Sequence, residues 1–214
     1  MIQTFDAADG TVRVLFAMAA QAEFGPALRA LIQPVMIGVG PVEAAVNTTR
    51  ALAENPADLV ISLGSAGSRS LPQAEIFQVA ALSYRDMDAS PLGFEKGRTP
   101  FLDLPAIVPI HSRLPGLPVA SLSTGGAIIS GAAYGNLAAD MVDMESFAVM
   151  RAAMTAGAGM IGLRGISDGA EPVSRFSDWT RYLAEIDVRL ASVIETLPDA
   201  FSRQKRAYWC RLPA

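Results

Sequence analysis

The sequence has 214 residues, of which 51% are hydrophobic and 18% are charged, with a formal net charge of −4. This length fits one domain over residues 1–214, and the acidic balance excludes nucleic acid as a partner, since binding it needs concentrated positive charge. A single cysteine, Cys210, excludes an internal disulfide and a thiolate metal cluster and fits a cytoplasmic location. No apolar run reaches the roughly 18 residues of a membrane span, so we expect no membrane association.

Strands and helices are predicted to alternate along the chain. Short apolar runs predict strands at residues 12–19, 35–39, 58–63, 77–82, 119–123 and 160–166. Helical spacing predicts helices at residues 21–31, 41–52, 144–156 and about 177–197. This alternation predicts an α/β fold, a three-layer α/β/α sandwich with a central mixed, mostly parallel sheet.

Polar residues follow several of these strands. Glu23 follows the first strand, Ser65 the third, and Ser167 and Asp168 the last. Because the carboxyl ends of parallel strands meet at one edge of a sheet, we expect these residues to share a crevice. Taken alone, Glu23 is better explained as a helix N-terminal acid and Asp168 as a turn residue. Glu145, in contrast, lies in a strongly apolar context, where a buried acid needs a partner.

Two other chemistries find little support. The segment at residues 38–44, GVGPVEA, has Glu43 in place of the third glycine of a dinucleotide-binding turn, which disfavours a Rossmann oxidoreductase. The only histidine, His111, lies in a proline-rich segment and is better explained as a loop residue. One histidine and one cysteine so placed do not favour a Ser-His-Asp or Cys-His hydrolase.

Seven segments, in this order, resemble the nucleoside phosphorylase and nucleosidase superfamily, and in particular the 5′-methylthioadenosine/S-adenosylhomocysteine nucleosidases. They are VLFAMAAQAE (14–23), IGVGPVEAA (37–45), VISLGSAG (60–67), YRDMDASPLGFEKG (84–97), STGGAII (123–129), VDMES (142–146) and LRGISDGAE (163–171). The resemblance implies hydrolysis of the N-glycosidic bond of a purine nucleoside, with no metal or organic cofactor.

The resemblance also implies roles for the two acids at the strand ends. Glu23 would activate the attacking water as the general base. Asp168 would hydrogen-bond N7 and N6 of adenine as the general acid, with Ser167 beside it as an orienting group. These roles suit the chemistry, because bond cleavage builds negative charge on the purine and positive charge on the ribose. Asp168 can donate a proton near neutral pH only if its pKa is raised.

The resemblance also implies which residues bind the sugar and line the rest of the pocket. Glu145 would hold the ribose hydroxyls with Met144 packing under the sugar, and Arg164 would lie near the water and the ribose. The remaining substrate contacts implied by the resemblance are Ser65, Ala66, Gly67, Ile128, Ile129, Leu92 and Phe94. Leu92 and Phe94 lie in a long loop, residues 84–101, which resembles the family segment that lines the pocket of a second subunit. The resemblance therefore implies a homodimer.

The sequence departs from the family pattern at the base-binding segment. Gly126 and Ile128 stand where these nucleosidases usually have aspartate and phenylalanine. Asp143 stands where they usually have the longer glutamate. A different purine nucleoside, or a non-catalytic nucleoside-binding module, is therefore an alternative.

Phosphorolysis is the other alternative. Phosphorylases of the superfamily carry a phosphate-binding arginine just before the glycine turn of the third strand, and this chain has Leu63 there. Water is the favoured nucleophile, and Arg69 is the residue that could reverse that choice.

Overall fold

The computed structural model describes residues 2–169 and 171–213. Three residues of the predicted single domain therefore lie outside the described residues, and one of them, Ala170, belongs to the LRGISDGAE segment. The other two are Met1 and Ala214.

Within the described residues, nine strands form one sheet. The strands are β1 (Ile2–Ala7), β2 (Gly10–Met18), β3 (Val35–Met36), β4 (Leu59–Gly67), β5 (Ile76–Tyr84), β6 (Ile107–Pro109), β7 (Val119–Thr124), β8 (Met141–Asp143) and β9 (Gly159–Asp168). The helices are α1 (Pro26–Arg29), α2 (Pro41–Glu54), α3 (Ser146–Thr155), α4 (Phe176–Thr180), α5 (Leu183–Glu195), α6 (Leu197–Ser202) and α7 (Arg206–Trp209). Short 3₁₀ turns lie at Gln21–Glu23, Ser90–Leu92 and Gly131–Asn136.

The sheet is mixed and contains two sets of parallel strands, which meet through antiparallel pairs. β2 pairs in parallel with β3 and β4, β4 with β9, β5 with β7, and β7 with β8. β1 pairs antiparallel with β2, β6 with β5, β5 with β9, and β4 with β8 at a single position. The parallel strands β2, β4 and β9 end at the same edge, which places their carboxyl ends side by side.

Two apolar cores lie on opposite faces of this sheet. Successive residues of a strand point to opposite faces, so on β2 Leu15 enters one core while Val14 and Phe16 enter the other. The first core is covered by α2 and α3, and the second by α1, α5, α6 and α7. The predicted three-layer α/β/α fold is confirmed.

The predicted helix at residues 21–31 is instead a 3₁₀ turn followed by α1. The break is held by Asp187 of α5, whose buried carboxylate accepts hydrogen bonds from the backbone N–H groups of Gly25 (3.0 Å), Ala27 (2.9 Å) and Leu28 (3.2 Å). A Cβ at Gly25 would collide with that carboxylate. The turn that carries Glu23 is thus fixed by a residue more than 160 positions away.

The predicted helix at residues 177–197 is divided into α4 and α5. Arg181 and Tyr182 form a turn between them, and Tyr182 has φ −105° and ψ 0°. As a separate helix, α4 contacts β9 of the sheet as well as α5. β1 was not predicted, because its sequence, IQTFDA, lacks alternating apolar residues.

Candidate active site

Glu23 lies at the end of the 3₁₀ turn after β2, and its side chain points to the carboxyl end of β4. Its Oε1 atom accepts hydrogen bonds from the Ser65 backbone N–H and hydroxyl, each 2.7 Å long. Its Oε2 atom is buried and has no hydrogen-bond partner among the described residues. Burial raises the pKa of Glu23, although the two Ser65 donors and Arg164 oppose the shift.

The backbone of β4 approaches Glu23 closely because it contains Gly64. A Cβ at Gly64 would lie 3.1 Å from Glu23 Oε1 and 3.4 Å from Oε2. A side chain there would therefore push the carboxylate away from Ser65.

Asp168 is the last residue of β9, where its backbone pairs with Gly67 of β4. The Ser167 hydroxyl donates a short hydrogen bond to Asp168 Oδ1. Burial raises the pKa of Asp168, and the Ser167 hydrogen bond opposes this rise. Both strand-end acids therefore have raised pKa values. At Glu23 the two Ser65 hydrogen bonds and the charge of Arg164 oppose the rise, whereas at Asp168 the only opposing contact is the Ser167 hydrogen bond.

Two glycines and a tyrosine pack closely around Asp168. A Cβ at Gly67 would contact the Tyr134 hydroxyl and lie 2.9 Å from Asp168 Oδ2, and Gly169 has a φ of 109°, which other residues rarely adopt. The Tyr134 hydroxyl is buried without a hydrogen-bond partner among the described residues. Burial, and next the neighbouring Asp168, raise the pKa of this hydroxyl.

Glu145 immediately precedes α3 and is buried. Its Oε1 atom accepts a hydrogen bond of 2.8 Å from the backbone N–H of Gly40, which has a φ of 94°. Burial, and next the neighbouring Asp143, raise the pKa of Glu145. The acid thus has the partner that its apolar sequence context required.

Arg164 lies close to Glu23 and Glu145 and is almost fully buried. Its guanidinium forms an ion pair with Asp143 Oδ2 at 3.1 Å and donates to the hydroxyls of Ser62 (2.9 Å) and Ser146 (2.6 Å). It also donates to the Ser62 backbone carbonyl at 3.0 Å. These contacts commit Arg164 to holding β4, β8 and the start of α3 together.

One cavity of about 340 Å³ is lined by Glu23, Glu145 and Asp168, and also by Asp143. The predicted site residues that line it are Glu23, Ser65, Ala66, Gly67, Ile128, Ile129, Met144, Glu145, Ser167 and Asp168. Arg164 is not in this lining; it borders a small adjoining cleft together with Glu23, Ser65 and Glu145. Leu92 and Phe94 lie in the long loop, outside the lining of this chain's own cavity.

Sequence reasoning missed Arg85, which also lines the cavity. Its guanidinium donates to the backbone carbonyls of Asp143 (2.9 Å), Gly125 (3.1 Å) and Ala127 (2.6 Å), and to that of Ser123. Arg85 therefore fixes the segment that carries Ile128. Its position directly after β5 was the available signal, because the other site residues also follow strands.

Two aromatic residues of α4, Phe176 and Trp179, were missed as well. They pack edge to face with ring centroids 5.3 Å apart, and both line the cavity. The Trp179 indole N–H donates a hydrogen bond of 2.9 Å to the Ser65 hydroxyl. The sequence offered no signal for this contact, which joins residues 114 positions apart.

Neither a metal cluster nor a membrane helix is found in the part of the chain that the structure describes. No group of three or more histidine, cysteine, aspartate or glutamate side chains there could hold a metal ion. No helix among these residues is long and apolar enough to cross a membrane.

The fold matches that of a solved nucleosidase. The structure superposes on the crystal structure of a 5′-methylthioadenosine/S-adenosylhomocysteine nucleosidase from Colwellia psychrerythraea in complex with adenine. The TM-score is 0.78 at 20% identity, with 94% of this chain and 99% of that chain covered. The chain thus has the fold of this nucleosidase.

Sequence comparison finds similarity to the same kind of nucleosidase, although no family model matches the sequence. A stretch of 65 residues is 40% identical to the 5′-methylthioadenosine/S-adenosylhomocysteine nucleosidase of Haemophilus influenzae (strain PittEE), and it spans 29% of this chain and 28% of that protein. The nucleosidase of the same name from Baumannia cicadellinicola subsp. Homalodisca coagulata is 29% identical over 162 residues, which is 67% of this chain and 70% of that protein. The chain resembles these nucleosidases in sequence and fold, so the predicted resemblance is confirmed.

Proposed function

We propose that this protein hydrolyses the N-glycosidic bond of a purine nucleoside, with 5′-methylthioadenosine or S-adenosylhomocysteine as substrate and adenine as product. The observation that carries the proposal is the shared cavity, in which Glu23, Glu145 and Asp168 are three partly or fully buried carboxyl groups. Such a cavity suits a reaction that protonates one half of the substrate and stabilises positive charge on the other.

Asp168 acts as the general acid in this proposal. Burial raises its pKa, which favours the protonated form that can donate to N7 of the departing purine. The Ser167 hydroxyl binds Oδ1 of Asp168, so Oδ2 is left to interact with the purine. The aliphatic Ile128 and Ile129 line the cavity and offer the purine an apolar surface.

Glu23 acts as the general base. Ser65 occupies Oε1, so Oε2 is the oxygen that accepts the proton from the attacking water. The water adds to C1′ of the ribose while the bond to the purine breaks, giving adenine and a free thioribose. Glu145 binds the ribose hydroxyls above Met144, and its carboxylate lies where positive charge develops on the sugar ring.

Arg164 acts through the groups that it holds rather than on the substrate. Its donors are occupied by Asp143, Ser62 and Ser146, which fix the strand ends beneath Glu23 and Glu145. Its positive charge also favours the ionised form of Glu23.

Water, rather than phosphate, is the proposed nucleophile. A phosphorylase needs an arginine free to bind phosphate. Among the described residues, the two arginines near the acids are held by the protein. Both terminal nitrogens of Arg85 donate to backbone carbonyls, which leaves only its buried Nε without a hydrogen-bond partner, and Arg164 donates to buried side chains. Arg69, which could have reversed this choice, is exposed and does not line the cavity.

We also propose that two copies of the chain associate through the face that carries the long loop. Leu92 is 79% exposed and Phe101 99% exposed, and Phe94 packs edge to face against Phe101. Covering these apolar side chains would be favourable. Light scattering after size-exclusion chromatography should give the mass of a dimer, and a monomer at micromolar concentration would contradict this assignment.

The enzymatic proposal is tested by incubating the protein with methylthioadenosine in phosphate-free buffer and measuring adenine. We expect release by the native protein and a loss of release in Asp168→Asn, with circular dichroism unchanged. Activity that survives in Asp168→Asn would refute the assigned acid. Calorimetric binding of adenine without turnover of any purine nucleoside would establish the non-catalytic alternative.

A further inference from the structure

A chain of hydrogen bonds connects α4 to the base proposed above. The Trp179 indole N–H donates to Ser65 Oγ at 2.9 Å, and the Ser65 hydroxyl donates to Glu23 Oε1 at 2.7 Å. A serine hydroxyl has one hydrogen to donate and two lone pairs to accept. Because Trp179 occupies a lone pair, the hydroxyl hydrogen is left for Glu23.

We propose that Trp179 is a positioning residue for the general base, which it orients through the Ser65 hydroxyl. A hydroxyl that accepts a hydrogen bond becomes a stronger donor, so the contact strengthens the bond to Glu23 Oε1. Glu23 is then held with Oε2 toward the nucleophile. The position of α4 on the sheet edge therefore affects the orientation of the Glu23 carboxylate.

The other charged groups around Glu23 do not replace this contact. Arg164 acts on Glu23 through its charge, but its own donors are used by Asp143, Ser62 and Ser146. Glu145 lies near enough for the two carboxylates to repel each other. The Ser65 backbone N–H also bonds Oε1, yet it cannot change the direction of the hydroxyl.

The inference rests on the proposed hydrolysis, and Trp179→Phe tests it because the variant removes the N–H and keeps an aromatic ring. We expect kcat for adenine release to fall about three- to tenfold, the effect of one hydrogen bond, with little change in KM. We also expect the acidic limb of the kcat profile to move to higher pH, since Glu23 loses support for its ionised form.

The chain supplies a matched control in its second tryptophan. Trp209 is fully buried, packs on Phe201 with ring centroids 4.5 Å apart, and its indole nitrogen has no hydrogen-bond partner among the described residues. It contacts Gly159, at the end of β9 opposite Asp168. Trp209→Phe should keep the native kcat and pH profile.

Two further measurements separate this role from a merely structural one. In a Ser65→Ala background, Trp179→Phe should cause no further loss of kcat, because the connection is already broken. Independently of activity, the indole N–H resonance of Trp179 should move in Ser65→Ala, while that of Trp209 stays in place.

Different results would overturn the two proposals. Native protein that releases no adenine contradicts the hydrolase, and the resonance experiment still tests the hydrogen-bonded connection. An active native protein with an unchanged kcat and pH profile in Trp179→Phe would refute the positioning role. So would a full additional loss in Ser65→Ala, or a Trp179 resonance that does not move.

Discussion

Replacing Asp187 by alanine should destabilise the protein and disturb the turn that carries Glu23. The carboxylate accepts hydrogen bonds from three backbone N–H groups at the start of α1, those of Gly25, Ala27 and Leu28. Alanine would leave all three without an acceptor in a region whose centre, at Leu28, is fully buried. Asp187 itself is 2% exposed, so water has little room to replace it.

The magnitude follows from the kind of hydrogen bond that is lost. A bond to a charged group contributes about 1.5 to 3 kcal/mol, and water can replace part of it at the half-buried amides of Gly25 and Ala27. Together the losses come to roughly 3 to 5 kcal/mol of the free energy of unfolding. Asp187→Asn should cost less, about 1 to 2 kcal/mol, because its carbonyl oxygen can keep the two bonds that Oδ1 accepts now.

Urea unfolding followed by circular dichroism measures both variants, with Glu195→Ala, an exposed position on the same helix, as a control expected to stay within about 0.5 kcal/mol of the native protein. The kcat for adenine release should fall together with stability in Asp187→Ala, because Glu23 precedes Gly25 by two residues. If Asp187→Ala unfolds at the same urea concentration as the control, the reasoning about this turn is wrong.

Three other changes test the carboxyl groups and their surroundings. Glu23→Gln should lower kcat about 10²- to 10⁴-fold while calorimetric binding of adenine persists, and near-native turnover would exclude Glu23 as the base. Gly64→Ala should lower kcat roughly tenfold, because its Cβ would lie 3.1 Å from Glu23 Oε1 and displace the carboxylate; a kcat within twofold of native would contradict this. Asp168→Asn should melt at a higher temperature than the native protein at pH 7 to 8, because burial raises the pKa of Asp168 and makes its ionised form unfavourable in the fold. This gain should vanish as the pH falls below about 4, where the carboxyl is protonated in both folded and unfolded states, and a gain that stays constant with pH would speak against the raised pKa.

Much of the site could be predicted because of one geometric rule. Parallel strands of a sheet end at a common edge, so Glu23, Ser65 and Asp168, each following a different apolar run, had to lie near one another. The rule does not place Arg85, because β5 runs antiparallel to β9 and its carboxyl end does not share the edge at which β2, β4 and β9 end.

Other parts of the site could not be predicted from local sequence. The Trp179 hydrogen bond to Ser65 spans 114 positions, and the Asp187 bond to Gly25 spans 162. Such contacts depend on how helices dock on the sheet, which side-chain spacing does not reveal. For the same reason, the sequence predicted one helix where α4 and α5 are separate, and one helix where a 3₁₀ turn and α1 occur.

The most direct test of the proposed chemistry is the identity of the sugar product. Methylthioadenosine should be incubated with the native protein in phosphate-free buffer and in buffer with phosphate, and both products should be measured by mass spectrometry. We predict equal amounts of adenine and free methylthioribose in both buffers. Adenine release that requires phosphate and yields methylthioribose 1-phosphate would contradict the account.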